Sequence, residues 1–127
     1  MKETKMNGEN QQKNAQELDC ELRLYIYKGS LPGAFGIGVA ELLHGVRQYG
    51  SLYKAAESMG MAYSKAWRVI NQIEKYLGFQ MLIRQVGRGC GSHLTERGAT
   101  FLKCYDAFLE EMTELSKKSF KHHFAEF

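Results

Sequence analysis

Residues 50–78 read GSLYKAAESMGMAYSKAWRVINQIEKYLG, and this stretch decides the fold. Ser51 is a good helix N-cap, and the small residues Ala55 and Ala56 allow another helix to pack closely. Gly60 can adopt the positive φ angle of a tight turn after a short helix. The stretch therefore predicts a short helix, a glycine turn and a longer helix.

The longer helix is predicted to span residues 62–77 and to end at Gly78. Its apolar residues recur at spacings of three and four, which is typical of one buried face; they are Ala66, Ile70, Ile73 and Leu77. The opposite side starts with polar and basic residues, which are excluded from the core if this stripe is correct. These are Tyr63, Ser64, Lys65, Arg68 and Gln72.

The residues before this stretch predict a strand, a loop and a first helix. Apolar and polar residues alternate from Cys20 to Tyr27, which is typical of a half-buried strand. Residues 29–36 contain three glycines and a proline and predict a loop. A helix ending near Gly50 follows, with a single apolar face formed by Val39, Leu42, Leu43 and Val46.

The residues after Gly78 predict a β-hairpin and a long helix. Residues 79–86 are apolar and β-prone, residues 87–91 read GRGCG, and His93-Leu94 would return as the partner strand. Thr95 would cap a helix reaching at least Lys118. A heptad-like seam on this helix predicts a dimerisation surface, although such a seam could equally fold back on its own domain. It consists of Phe101, Tyr105, Phe108, Met112 and Leu115.

Length and composition limit the classes of protein to which this chain can belong. A chain of 127 residues with 44% hydrophobic and 24% charged residues is typical of one globular domain. Residues 1–18 are polar and predict a disordered tail, and residues 19–127 would form the domain, including helix 95–118. Neither a membrane span nor a signal peptide is visible, so a cytoplasmic location is expected.

No catalytic or metal-binding pattern is visible in the sequence. The three cysteines, Cys20, Cys90 and Cys104, are scattered without a CxxC pair, and the four histidines lack ligand spacing. We expect no metal, no cofactor and no enzyme activity. Cys90 lies beside basic residues at the hairpin tip, a setting that can activate a thiol, but a merely exposed cysteine is the preferred interpretation.

Positive charge is concentrated in the second half of the predicted fold. Seven basic residues face two acidic ones between Met61 and Lys103, a net +5, whereas the whole chain carries +3. Such local bias suits a surface that contacts nucleic-acid phosphates. The long helix instead carries a group of acidic residues, Asp106, Glu110, Glu111 and Glu114.

The glycine-rich loop at residues 87–91 has three possible interpretations. A nucleotide phosphate loop would need a GK[ST] sequence and a helix directly after it, and both are lacking. A plain hairpin is the second. The third, which we favour, is a wing over residues 86–93, in which Arg88, with Arg84 and His93, reaches DNA phosphates or the minor groove.

These observations predict double-stranded DNA as the partner. A helix in the major groove contacts base edges mainly through its N-terminal residues, and Lys or Arg can bind guanine edges and Gln adenine edges. Trp67 lies beside this face and is expected to pack rather than to stack on bases. The predicted DNA-binding residues are Tyr63, Ser64, Lys65, Arg68, Gln72, Arg84 and Arg88.

Several short motifs within residues 50–98 also follow one known pattern. They are Gly50-Ser51, Lys54-Ala55-Ala56, Gly60-Met61, Tyr63, Ala66-Trp67, Ile70-Asn71, Ile83-Arg84, the glycine-rich wing and Leu94-Thr95 with Gly98. With these residues the chain resembles the N-terminal DNA-binding domain of the ModE-like molybdate-responsive regulators, whose helix-turn-helix is of the LysR type.

The resemblance implies a winged helix-turn-helix, mainly α with a small β-sheet, that binds a palindromic operator as a homodimer. Two departures matter: Ala62 stands where the family often has a serine cap, and Arg68 where an acidic residue is common. The operator sequence is therefore not implied. The family's molybdate-binding region is absent from this sequence, so a stand-alone form is expected, with no small-molecule effector evident.

Two functions stay open at this stage. The first is a homodimeric, sequence-specific transcription regulator with operator half-sites about 34–36 Å apart. The second is a winged-helix protein-interaction module without specific DNA binding, which the acidic C-terminal helix and the paired Tyr25 and Tyr27 would favour. Lys65 and Arg68 favour the regulator. An enzyme is a distant third, because no catalytic site motivates it.

Overall fold

The computed structural model describes residues 17–29, 35–84 and 91–127. Within these ranges the chain forms four helices and one antiparallel two-stranded sheet, in the order of a winged helix-turn-helix, as predicted. None of the helices in the described part is both long and apolar enough to cross a membrane. The elements are α1 Ile37–Tyr49, α2 Leu52–Ser58, α3 Tyr63–Leu77, β1 Leu82–Arg84, β2 Ser92–Leu94 and α4 Glu96–His123.

The helix N-caps and the glycine turn form as the sequence predicts. The Ser51 hydroxyl accepts a hydrogen bond from the backbone N–H of Lys54 at 3.1 Å, which caps α2. Gly60 has a φ of 67° in the turn before α3. The Thr95 hydroxyl accepts from the Gly98 N–H at 2.8 Å and caps α4, which continues to His123.

The described residues pack into two units, and the larger one, residues 23–110, contains the core. The apolar faces of α1, α2 and α3 meet there with residues from α4. A fully buried aromatic, Phe35, packs edge-on against Phe101 and Tyr105, with 4.9 Å between ring centroids in each pair. The largest fully buried side chains of the core are Tyr105, Phe35, Leu42, Leu43, Leu52, Ile70, Met81, Leu102 and Val46.

The buried face of α3 differs from the prediction at its last turn. Ala66, Ile70 and Ile73 are buried as predicted. Leu77 is only partly buried, and Tyr76 takes the next buried position. The Tyr76 hydroxyl accepts a hydrogen bond from the backbone N–H of Lys28 at 2.7 Å, and this partner allows a polar aromatic side chain to be buried.

The predicted strand from Cys20 to Tyr27 is wrong. Among the described residues of this segment only Ile26 forms a β-bridge, antiparallel to Phe35. The alternation reflects burial instead, because Leu24 and Ile26 pack against the core while Tyr25 and Tyr27 are exposed. A strand needs a series of hydrogen bonds to a neighbour, and the described chain provides one such pairing here. Residues 30–34 of the predicted loop lie outside the described residues.

Close packing of α1 on α2 depends on a glycine as well as on the predicted alanines. Ala55 and Ala56 are buried, as their small size suggests. A Cβ atom added at Gly45 would lie 2.7 Å from the Cβ of Ala55, which is well inside van der Waals contact. The two helix backbones therefore approach closely at Gly45, which the sequence pattern did not single out.

The smaller unit consists of residues 17–22 and 111–127. The Lys117 ammonium forms an ion pair with Asp19 at 2.7 Å and donates to the carbonyl of Cys20. The Cys20 thiol faces the carbonyl of Ser116 at 3.8 Å. The first 16 residues of the predicted tail lie outside the described residues, whereas Glu17 and Leu18 are exposed.

Replacing Lys117 by methionine is expected to raise the pKa of Asp19. The hydrogen bond from Lys117, followed by the one from the Cys20 N–H, holds this pKa below its ordinary value. A lowered folded-state pKa stabilises the unit above the unfolded pKa, and this contribution disappears as the pH falls through the folded value. Because Asp19 is exposed, its contribution to stability should be small.

An NMR titration of the Asp19 carboxyl measures this effect. Lys118→Met is the matched control, since Lys118 is the next residue of α4 and is not a partner of Asp19. An unchanged Asp19 pKa in Lys117→Met, or an equal rise in both variants, would contradict the ion pair.

Candidate nucleic-acid interface

The solvent-exposed face of α3 carries the polar and basic side chains predicted to bind DNA. Positions three and four apart share one face of a helix, and this face lies opposite the buried Ala66, Ile70 and Ile73. Neither Lys65 nor Arg68 pairs with any residue in the described part of the chain, so both charges are available to a partner. The exposed residues of this face are Ser64, Lys65, Arg68 and Gln72.

The N-terminus of α3 is not capped by its own side chains. Ala62 occupies the N-cap position and offers no side-chain hydrogen bond, and the first turn contains no acidic residue. The free N–H groups and the helix dipole therefore favour a negatively charged group at this end. The helix starts at Tyr63, one residue after the predicted start, with Ala62 as its N-cap residue.

A row of aromatic rings connects α2 to α3. The Tyr53 and Tyr63 rings lie 5.6 Å apart, and the Tyr63 and Trp67 rings 6.0 Å apart. Tyr53 and Tyr63 are 57% and 43% exposed. The predicted residue Tyr63 is thus accessible and supported on both sides, whereas Tyr53 was not singled out because the helical pattern of α2 gives no signal for it.

Arg84, at the end of β1, lies against the flank of α3. Its guanidinium carbon is 3.4 Å from the ring centroid of Trp67, and its Nη2 donates a hydrogen bond to Asn71 Oδ1 at 2.9 Å. Trp67 is partly buried and packs against the core, as predicted. An exposed cation–π contact of this kind contributes about 0.5–1 kcal/mol.

The beginning of β1 is attached to α3 through Glu74. One carboxylate oxygen of Glu74 accepts hydrogen bonds from the backbone N–H groups of Met81 and Leu82, at 2.8 and 3.1 Å. The strand starts at Leu82 rather than at the predicted residue 79. Residues 85–86 of the predicted strand lie outside the described residues.

Replacing Glu74 by alanine is expected to lower the free energy of unfolding by about 1–3 kcal/mol, because two partly buried backbone N–H groups lose a charged acceptor. Glu74→Gln keeps one acceptor oxygen and should lose less. Urea denaturation measures both, and Glu57→Ala, on the exposed side of α2, is the control. Equal losses in the Ala variants at positions 74 and 57 would show that the carboxylate does not hold β1.

The returning strand β2 is attached to the end of α1. Strands β1 and β2 pair antiparallel with Ile83 opposite His93, and the Ser92 N–H donates to the Gly50 carbonyl at 3.1 Å. A Cβ at Gly91 would lie only 1.9 Å from that carbonyl oxygen, so this position requires glycine. Residues 85–90, with the predicted wing contact Arg88 and the tip residue Cys90, lie outside the described residues.

The five residues of the predicted dimerisation seam have different surroundings. Tyr105 is buried and its hydroxyl donates to the Leu24 carbonyl at 2.8 Å, and Phe101 packs against the core. Met112 is partly buried, while Phe108 and Leu115 are 44% and 56% exposed. The dimer stays a prediction, and of these five residues only Phe108 and Leu115 offer exposed apolar surface.

The described ranges contain no candidate metal-binding cluster. No three His, Cys, Asp or Glu side chains there are arranged to hold a metal ion. His44 instead pairs with Asp106 at 2.7 Å, on the exposed surface. Among the described residues, the charged and uncapped start of α3 is therefore the candidate functional site.

Residues 39–99, from α1 to the first turn of α4, match the family model of the bacterial regulatory helix-turn-helix proteins of the lysR family. This segment is a LysR-type helix-turn-helix domain. It contains all of α3 and the hairpin, and therefore every predicted DNA-binding residue. The LysR-type part of the resemblance is confirmed, and the ModE-like part stays a prediction.

Two solved structures are similar to this chain. A crystal structure of a complex between the CbnR DNA-binding domain and DNA matches with a TM-score of 0.56 and 22% identity, over 67% of this chain and 94% of that chain. CrgA, a LysR-type transcriptional regulator from Neisseria meningitidis, matches with a TM-score of 0.45 and 28% identity, over 68% of this chain and 28% of that chain. No curated protein matches the sequence. The CbnR likeness confirms the winged helix-turn-helix fold.

Proposed function

We propose that this protein is a DNA-binding transcription regulator that inserts α3 into the major groove of duplex DNA. The observation that carries the proposal is that two exposed cations, Lys65 and Arg68, lie on the first two turns of a LysR-type helix-turn-helix and pair with none of the described residues. Ser64 and Gln72 extend the same face with groups that can bind phosphates and base edges. The CbnR domain of similar fold is itself bound to DNA.

The proposal extends to a homodimer on a palindromic operator. A two-fold symmetric dimer binds two half-sites in inverted orientation, with about 34–36 Å between them. Phe108 and Leu115 supply exposed apolar surface on α4 for such contacts. The ModE-like motifs, with Ala66-Trp67 and the glycine-rich wing, favour that branch of regulators, with Tyr63 and Arg88 as further contacts to DNA.

A winged-helix protein-interaction module is the second candidate. Tyr25 and Tyr27 favour it, because their side chains are 54% and 69% exposed and aromatic residues are enriched at protein interfaces. The two candidates differ in what they require of α3, since an interaction module needs neither Lys65 nor Arg68. Recovery of a specific operator sequence would therefore favour the regulator over the interaction module.

Selection of duplexes from a random library, at about 50 and 200 mM salt, tests the proposal. Recovery of one inverted repeat is expected and would name the operator. Recovery of a single half-site would contradict the proposed dimer but not the proposed DNA-binding regulator. Binding that enriches no sequence and vanishes at the higher salt would overturn the regulator and favour the interaction module. Lys118→Ala is the control, because it removes an exposed charge of α4 outside the basic region 61–103, and it should recover the wild-type sequence.

A further inference from the structure

We propose that Tyr53 of α2 contacts DNA, by donating a hydrogen bond from its hydroxyl to a backbone phosphate at the edge of the groove that α3 enters. Tyr53 is not among the DNA-binding residues predicted from the sequence. The inference rests on the proposed DNA-binding function and adds a residue of α2 to the interface. It depends on three observations: the exposure of this side chain, its support by neighbouring rings, and its place beside the first turn of α3.

The Tyr53 side chain is exposed and its hydroxyl is available. The residue is 57% exposed, and its hydroxyl forms no hydrogen bond with any residue that the structure describes. A tyrosine hydroxyl can donate one hydrogen bond, and tyrosine is among the side chains that contact phosphate oxygens in protein–DNA complexes. The donor is therefore open to a partner, as are the charges of Lys65 and Arg68.

The ring of Tyr53 is supported from one side by a row of aromatic rings. It lies 5.6 Å from the ring of Tyr63, tilted by 58°, and the Tyr63 ring lies 6.0 Å from that of Trp67, which packs against the core. A tyrosine side chain has only two rotatable torsions, so it loses little conformational entropy when it binds. The row of rings thus presents the Tyr53 hydroxyl in an orientation that is largely set before DNA arrives.

The position of Tyr53 beside the start of α3 places it at the edge of the groove. Tyr63 is the first residue of α3, so its neighbour Tyr53 lies at the end of the helix that enters the DNA. A helix with its side chains is about 10–12 Å wide and the major groove about 12 Å, so α3 alone fills the groove. A side chain of the preceding helix lies outside it, over the backbone. A phosphate is therefore the partner that this position offers.

Removal of the hydroxyl alone tests this contact. Tyr53→Phe keeps the ring beside Tyr63 and is expected to weaken binding by about three- to tenfold, the size of one lost hydrogen bond. The selected operator and an unrelated duplex should lose affinity by the same factor, because phosphates carry no sequence information. The free energy of unfolding should stay that of the wild-type protein. A loss of stability would show that the hydroxyl is already used within the protein and would overturn the inference.

Tyr27→Phe is the matched control, because it removes the same group from another exposed tyrosine. Tyr27 is 69% exposed and precedes Lys28, whose backbone N–H binds the Tyr76 hydroxyl. Tyr76 lies in the last turn of α3, about 20 Å along the helix axis from Tyr63. The control should bind both duplexes like the wild-type protein. An equal loss in the Tyr27 and Tyr53 variants would overturn the inference.

Single methylphosphonate substitutions in the operator test for the phosphate itself. Each substitution replaces one charged phosphate oxygen by a methyl group. At one position the substitution should cost Tyr53→Phe about three- to tenfold less affinity than it costs the wild-type protein, because the hydroxyl and that oxygen belong to the same hydrogen bond. Such a double-mutant cycle isolates the pair from effects that either change has elsewhere.

The possible results separate this inference from the proposed function. Wild-type affinity of Tyr53→Phe for the operator would overturn the inference and leave the DNA-binding proposal intact. Equal costs for both proteins at every substituted phosphate would do the same, since a merely structural effect does not depend on one phosphate. A larger loss on the operator than on the unrelated duplex would indicate a base contact and overturn the assigned phosphate. Absence of duplex binding by the wild-type protein would overturn the proposed function, and this inference with it.

Discussion

Replacing Arg68 by alanine is expected to weaken binding to the selected operator by about 5- to 150-fold, the discrimination that one good contact to a base pair provides. Arg68 is exposed on the second turn of α3 and makes no pair with a described residue. Its guanidinium is therefore free to bind two acceptors on a guanine edge. Binding to unrelated duplexes should fall less, because only base contacts distinguish sequences.

Competition titrations with operator and unrelated duplex at one salt concentration measure both losses. Lys118→Ala removes one exposed positive charge of α4 outside the basic region 61–103, and is the matched control for net charge. An equal loss of operator and unrelated binding in Arg68→Ala would identify Arg68 as a phosphate contact. Wild-type affinity for both duplexes would place Arg68 outside the interface and weaken the proposed docking of α3.

Gly98→Ala is expected to lower the free energy of unfolding by about 1–3 kcal/mol, the usual cost of overpacking. A Cβ at this position would lie 2.6 Å from the carbonyl oxygen and 3.0 Å from the Cα of Met81. Both atoms belong to the backbone just before β1, so no side chain can rotate away. The substitution would push the first turn of α4 off the segment that leads into the hairpin.

Gly38→Ala is the matched control, because it makes the same substitution in the first turn of α1, with no atom within 4 Å of the added Cβ. Alanine is favoured over glycine in a helix by about 0.5–1 kcal/mol, so this variant should be more stable than the wild-type protein. Urea denaturation compares the two. Stabilisation of both variants would show that the close approach at Gly98 is absent in solution.

Features that depend on residues close together along the chain could be predicted from the sequence. The cap at Ser51, the positive φ of Gly60 and the cap at Thr95 each depend on a few neighbouring residues. Helical periodicity likewise placed Ala66, Ile70 and Ile73 in the core. These signals identified the winged helix-turn-helix and the exposed start of α3, because in both cases the deciding contacts lie within a few positions.

Features that depend on contacts between distant segments were missed. Alternation from Cys20 to Tyr27 predicted a strand, but alternation shows only that one side is buried, and a strand also needs a partner. The heptad-like spacing on α4 likewise did not distinguish Phe101 and Tyr105, which pack inside the domain, from Phe108, which is exposed. An apolar face that packs inside a domain and one that binds another molecule have the same residue spacing, so spacing alone does not distinguish the two.

The sequence by itself determined the order of the elements and the polar, basic character of the exposed face of α3, since helix periodicity and caps act over one or two turns. Only the tertiary structure decided which of the described basic residues have partners within the fold. Arg84 and Arg68 are equally basic in sequence and both are exposed, yet Arg84 contacts Trp67 and Asn71, while Arg68 pairs with none of the described residues. The reason is physical: the groups that contact a charged side chain in the fold come from different elements of the chain, so local sequence patterns do not reveal them.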